Sequence, residues 1–251
     1  MKAVVRMAAR IITFGLVATL AFAPLASAAQ ITLRALANYA GGNSGGEFTA
    51  LKVGDDTVFD QIISFYDTKA TAVYNNGKTG FQVFCLEKSE TFSSGGTYNY
   101  TIDSYAIAGG TNSQADPAKG YVPSGDTISR GTAYLYSLFV RGDLNYNYTP
   151  GSGRTADATL LQMAIWYLED EVTTTASNKY VDLVSAKFGN VGEAKKNQIN
   201  REFGVAVLNL TDSTGNRQSQ TVYVSEPASL LLMGLGFVGV ALARRRSARQ
   251  G

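Results

Sequence analysis

Two apolar segments, one near each end, limit the part of this 251-residue chain that can form a globular core. A basic region at residues 2–10 precedes the apolar stretch 11–25, and Ala-Ser-Ala at 26–28 supplies the small residues that a signal peptidase requires. We therefore expect residues 1–28 to be a signal peptide that is removed on export. An uncleaved anchor is disfavoured because Pro24 interrupts an apolar run shorter than the ~20 residues needed to span a bilayer.

The second apolar segment, residues 228–243, contains three glycines and has the length of a marginal membrane span. It follows Ser225-Glu226-Pro227 and ends at a basic cluster formed by Arg244, Arg245 and Arg246. Arginines are retained on the cytoplasmic side, which predicts that the body of the chain lies outside the membrane.

The order Glu-Pro, glycine-containing apolar helix and arginine cluster resembles the PEP-CTERM sorting signal of Gram-negative bacteria. In that family an exosortase cuts near a Pro-Glu-Pro motif and passes the protein to the cell surface or an extracellular polysaccharide matrix. The resemblance implies that residues 225–251 are a sorting signal, that its helix inserts transiently in the membrane, and that an exosortase-type protease is a partner. Ser225 stands where the motif has its first proline, so the resemblance supports sorting more firmly than cleavage.

Residues 29–224 remain between these ends, which is the length of a single domain with a full core. They carry 15 basic and 19 acidic residues, so this part is mildly acidic although the whole chain is formally +2. Nothing in it forms a basic stripe, and no nucleic-acid partner is predicted.

The periodicity of this part is mostly that of strands. Runs of alternating or β-branched residues predict strands at 30–37, 47–53, 57–66, 80–87, 97–108, 203–210 and 219–224, the last two forming a hairpin. Apolar faces predict helices from a cap at Asp126 or Thr127 to Gly142, from a cap at Asp157 to Glu169-Asp170-Glu171, and at 178–188, with a further turn or two at 193–202. The predicted fold class is therefore α+β, a β-rich sandwich or barrel with a helical insertion at about 126–202.

Cys85 is the one cysteine of a chain that we expect to enter an oxidising compartment. It can pair with another chain, stay buried as a small apolar group, or take part in chemistry. On the second helix, Gln162 precedes the only tryptophan, Trp166, by one turn, so the two side chains share one face. The spacing alone favours a solvent-facing glutamine beside a core tryptophan.

Phe84-Cys85-Leu86 on a strand, followed by Leu161-Gln162-Met163-Ala164-Ile165-Trp166 on a helix, resembles the thioester domains of bacterial surface adhesins. In that family a cysteine sulfur and a glutamine side-chain carbonyl form an internal thioester within a β-rich body. The resemblance implies a bond between Cys85 and Gln162, supported by Phe84, Ala164 and Trp166.

The implied reaction is attack of the Cys85 thiolate on the Gln162 amide carbon with loss of ammonia. The chain has no histidine, so another group, such as a tyrosine or a polarised water, must accept the thiol proton. An amine or hydroxyl on a surface protein or polysaccharide would then capture the thioester once, without turnover, and no enzyme activity is predicted.

The absence of histidine excludes Cys-His and Ser-His-Asp hydrolases, and one cysteine builds no structural metal site. No cofactor or metal is predicted. Acidic pairs at Asp55-Asp56 and within 169–171 are expected to be solvated rather than glycosidase-like. The remaining alternative is a non-covalent matrix-binding or carbohydrate-binding β-domain in which Cys85 is buried and inert.

Overall fold

The main sheet has seven antiparallel strands. The computed structural model describes residues 29–42, 45–107, 125–173 and 175–224. The described residues form nine strands in two sheets: β1 (Gln30–Arg34), β2 (Phe48–Lys52), β3 (Thr71–Tyr74), β4 (Lys78–Val83), β5 (Thr97–Asp103), β6 (Tyr105–Ile107), β7 (Gly125–Thr127), β8 (Val205–Asp212) and β9 (Gly215–Tyr223). The seven-stranded sheet has the order β3-β4-β2-β1-β5-β8-β9, and β6 pairs with β7 in a second, two-stranded sheet.

Five α-helices accompany these strands in the described part of the chain. They are α1 (Thr57–Ile63), α2 (Arg130–Val140), α3 (Ser152–Leu168), α4 (Lys179–Phe188) and α5 (Val191–Ala194). Helices α2 to α5 lie between β7 and β8 in the chain, within the predicted helical insertion, whereas α1 precedes it. Helix α2 packs on β8 and β9, where the rings of Phe84 and Phe139 meet edge to face with centroids 5.2 Å apart.

The α+β class is confirmed in its coarse form, a sheet-rich domain with a few helices. The barrel alternative is wrong for the part of the chain that the structure describes, because no sheet there is closed into a barrel. The predicted hairpin of the last two strands is confirmed as β8 and β9.

The prediction of a strand at 57–66 is wrong, since α1 occupies most of this segment. Its residues are strand-like in composition, but the Asp56 side chain accepts hydrogen bonds from the backbone N–H groups of Val58 and Phe59, both at 3.0 Å. This N-cap satisfies two donors that a new helix leaves unpaired. Phe59 and Ile62, three residues apart, then face the core.

The starts of two helices also differ from the prediction. Helix α2 begins at Arg130 after the cap Ser129, because the expected caps Asp126 and Thr127 belong to β7. Helix α3 begins at Ser152, five residues before the expected cap Asp157, so its first turn includes Arg154.

Among the described residues, no helix has the length and apolar character required to cross a membrane. The predicted signal peptide and the C-terminal apolar segment lie outside the described residues.

Candidate functional site

Cys85 lies on a short extension of β4 that pairs with the last strand. The N–H of Leu86 donates to the carbonyl of Ser219 at 3.0 Å, and the N–H of Thr221 donates to the carbonyl of Phe84 at 2.9 Å. Cys85 therefore lies opposite Gln220 in the bridge between these two bonds. In antiparallel pairing this is the non-hydrogen-bonded position, where side chains of facing residues approach most closely.

The Cys85 thiol is fully buried between two glutamine side chains of β9. Sγ donates to Oε1 of Gln218 at 3.0 Å, and Nε2 of Gln220 donates to Sγ at 3.6 Å. Burial raises the pKa of the Cys85 thiol well above its usual value, the hydrogen bond from Gln220 lowers it, and the nearby Glu87 charge raises it. This environment favours the protonated thiol, and the buried sulfur is not exposed for a disulfide with another chain.

Gln162 is also buried, with 1 % of its surface exposed, so the solvent-facing interpretation is wrong. Its Oε1 accepts from the backbone N–H of Cys85 at 3.0 Å and from that of Gly46 at 3.2 Å. Its Nε2 donates to the carbonyl of Cys85 at 2.8 Å. The Gln162 amide therefore pairs with both backbone polar groups of Cys85, in the way that a neighbouring strand would.

The other predicted residues surround this contact. Trp166 is 5 % exposed, while Phe84 and Ala164 are fully buried. Gly45 lies against the site so closely that an added Cβ would stand 2.5 Å from Cη2 of Trp166 and 2.8 Å from Cγ of Gln162. The loop before β2 therefore needs glycine here to bring the Gly46 N–H to Gln162.

Gln218, Gln220 and Gly46 are residues of the site that the sequence interpretation missed. The signal for the glutamines was present, because residues two apart on a strand share a face and both glutamines lie on β9. The signal for Gly46 was weaker, since its role depends on how a loop folds over a distant helix.

An open pocket of about 510 Å³ adjoins the site. Its walls include the rings of Phe48, Phe92 and Trp166, and Gln218 separates it from the buried thiol. The Lys88 ammonium lies 6.0 Å from the centre of the Trp166 ring. The pocket thus gives a path from solvent to the residues that enclose Cys85.

The expectation that the acidic residues singled out in the sequence are solvated is wrong for Asp56, Glu169 and Glu171, which are buried and have structural contacts. Asp56 caps α1, and Glu171 Oε2 accepts from the N–H of Lys88 at 2.9 Å. Glu169 Oε1 accepts from both the N–H and the hydroxyl of Ser129, at 3.1 and 2.8 Å. Within the described ranges, no group of three or more acidic, cysteine or histidine side chains is arranged to hold a metal ion.

A family model described as the PEP-CTERM protein-sorting motif matches residues 224–246. The match covers Glu226, Pro227 and the arginines 244–246, so the chain carries this sorting motif. The motif implies export, delivery to the cell surface or beyond it, and processing by an exosortase. No curated protein and no solved structure matches the chain. The thioester-domain resemblance is accordingly a prediction from the residues.

Proposed function

We propose that this exported protein attaches covalently to a surface partner through an internal thioester formed by Cys85 and a glutamine, with Gln162 as the partner that the sequence predicts. The observation that supports it most is the packing of side-chain amides around an otherwise unpaired, buried thiol. Gln162 is held against Cys85 by three hydrogen bonds, two from backbone N–H groups to its Oε1 and one from its Nε2 to the Cys85 carbonyl.

Burial also suits the chemistry that follows. A thioester enclosed by Trp166, Gln218 and the core is shielded from hydrolysis by water until a partner arrives. An amine or hydroxyl that enters the adjacent pocket would displace the sulfur and leave an amide or ester link. Each molecule would react once, so the proposal describes attachment and not catalytic turnover.

The intact mass of the mature protein tests this proposal. We expect freshly purified protein to be lighter than its sequence by one ammonia, and methylamine to restore a mass corresponding to its covalent addition. Cys85→Ala is expected to have the full mass calculated for its sequence and to ignore methylamine. Met163→Leu, on α3 beside Gln162, is the matched control and should keep the deficit. Full mass in fresh wild-type protein would contradict the proposal.

A second candidate is a non-covalent matrix-binding or carbohydrate-binding domain. The observation in its favour is the open pocket, whose wall includes the half-buried ring of Phe92 beside the buried rings of Phe48 and Trp166, because an aromatic ring can pack against the apolar face of a sugar. In this case methylamine leaves the mass unchanged, Cys85→Ser alters only stability, and Phe92→Ala weakens retention of the protein on the extracellular polysaccharide of the producing cells.

Processing at the C-terminus is a separate prediction of the sorting motif. Protein recovered from the cell surface or matrix is expected to lack residues 228–251, because the exosortase removes the apolar helix and arginine cluster after export. Peptide mapping of that material measures it, and Pro227→Ala, which alters the remaining part of the motif, is expected to retain the tail in the membrane fraction. An intact C-terminus on matrix-associated wild-type protein would be contrary to this expectation.

A further inference from the structure

The contacts of Cys85 divide into two groups that lie in different directions. Its backbone N–H and C=O point away from β9, because the bonds to that strand are made by residues 84 and 86, and Gln162 takes both of these backbone groups. Its side chain stands on one face of the strand pair, where its hydrogen-bond partners are Gln218 and Gln220. The hydrogen bonds of Gln162 thus hold the strand, whereas those of the two β9 glutamines reach the sulfur.

Of the two β9 glutamines, Gln220 is directly opposite Cys85 in the bridge. It is fully buried, and its Nε2 lies 3.6 Å from Sγ while also donating to the carbonyl of Gln218 at 3.1 Å. Its Oε1 is buried and has no hydrogen-bond partner among the described residues. An unsatisfied buried carbonyl is unfavourable and requires an explanation. Gln198 Oε1 is also unsatisfied, but Gln220 combines an unsatisfied amide with the position directly opposite the thiol.

Gln218 has a different set of contacts. Its Oε1 accepts a hydrogen bond from the Cys85 thiol, and its Nε2 donates one to the carbonyl of Glu87. Both ends of this amide are therefore satisfied, and they orient the S–H bond. Gln218 is suited to hold the thiol, and Gln220 presents an amide whose oxygen is still available.

We propose that Gln220 is the acyl partner of Cys85, and that Gln162 is a positioning residue that fixes the strand carrying the thiol. This inference rests on the proposed thioester function and changes its predicted partner. It follows from a cross-strand pair at the closest side-chain approach together with an unsatisfied, fully buried amide at that position.

The reaction balances within the residues present. The Cys85 sulfur forms a bond to Cδ of Gln220, the bond from Cδ to Nε2 breaks, and its electron pair stays with the nitrogen. The thiol proton is transferred to that nitrogen, which leaves as ammonia, so no oxidant or additional reactant is needed. Gln218 orients the proton before transfer, and Gln162 keeps the backbone of Cys85 in place.

Isotope-labelled methylamine identifies the glutamine directly, because capture converts the acyl partner into a stable γ-glutamyl methylamide. The full-length exported protein is treated, digested with trypsin and sequenced by mass spectrometry. Cleavage after basic residues separates Cys85 in peptide 79–88, Gln162 in peptide 155–179, and the β9 glutamines in a peptide that begins at Gln218. We expect the label on Gln220.

Each other outcome has a distinct meaning. Label on Gln162 or Gln218 overturns this inference and leaves the thioester function supported. Full mass before treatment and no label on any glutamine overturns the thioester function itself. The wild-type protein decides between these outcomes, so the test does not depend on whether a variant folds.

A matched pair of substitutions tests the roles of the two amides. Gln220→Glu is expected to lose the ammonia deficit completely, because a carboxylic acid has no ammonia to release. Gln162→Glu is expected to keep it, because a buried, protonated carboxyl can still accept from Cys85 and Gly46 and donate to the Cys85 carbonyl. Gln162→Ala removes these bonds and should lower the fraction of molecules with the deficit without moving the label. Loss of the deficit in Gln162→Glu with retention in Gln220→Glu would overturn the assignment.

Discussion

Arg154→Ala is expected to lower the free energy of unfolding by about 3–5 kcal/mol, the range found when one partner of a buried ion pair is removed. Arg154 and Glu47 are 1 % and 0 % exposed. The guanidinium donates to both carboxylate oxygens, with Nε 2.9 Å from Oε2. The substitution leaves the Glu47 charge buried and deprives the carbonyl of Lys69 of a donor at 3.1 Å. Urea denaturation monitored by circular dichroism measures the change.

Lys52→Ala supplies the control for this experiment. Lys52 pairs with Asp60 at 2.6 Å, but the side chains are 28 % and 57 % exposed, and exposed pairs contribute about 0–1 kcal/mol. Equal losses from Arg154→Ala and Lys52→Ala would contradict the importance assigned to the buried pair. Because Arg154 fixes the first turn of the helix that carries Gln162, we also expect its loss to reduce the ammonia deficit.

The part of the site that the sequence predicted is the part encoded by local spacing. Gln162 and Trp166 are four residues apart on a helix, so the spacing predicts that they share one helix face. The fold buries both of them. Cys85 was expected on a strand, and it lies on the short extension of β4 that pairs with β9. The contact between Gln162 and Cys85 joins residues 77 positions apart, and no local pattern encodes it; only the family resemblance suggested it.

The part that the sequence did not predict depends on register and on the competition between local signals. A one-residue shift of β9 would turn Gln218 and Gln220 to the other face, and the sequence of one strand does not state its register against another. At 57–66 the β-branched and aromatic residues favoured a strand. The N-cap at Asp56 and the burial of Phe59 and Ile62 on one face instead stabilise a helix there. Arg154 was missed because a helix predicted to begin at Asp157 excluded it.

Glu169 is expected to make the stability of this domain fall as the pH rises from about 4.5 to 7. Burial raises the pKa of this carboxyl from 4.5 to about 7, although hydrogen bonds from Thr132 and Ser129 act to lower it. Between these values the folded protein holds a proton that the unfolded chain has released, so its stabilising effect is complete at low pH and is lost as the pH approaches 7. At 1.36 kcal/mol per pKa unit, the change is about 3 kcal/mol.

Comparing wild type with Glu169→Gln isolates this contribution, because an amide of the same shape can accept from Ser129 and does not titrate. We expect urea titrations between pH 4 and 8 to give similar free energies of unfolding for the two proteins at the acidic end. As the pH rises toward 7, the wild type should lose stability relative to Glu169→Gln. Glu202→Gln, which removes a surface carboxylate paired with Arg130, is the matched control and is expected to follow the wild-type profile. Since Glu169 joins the end of α3 to the cap of α2, parallel profiles for wild type and Glu169→Gln would mean that this junction opens to water before the carboxyl ionises.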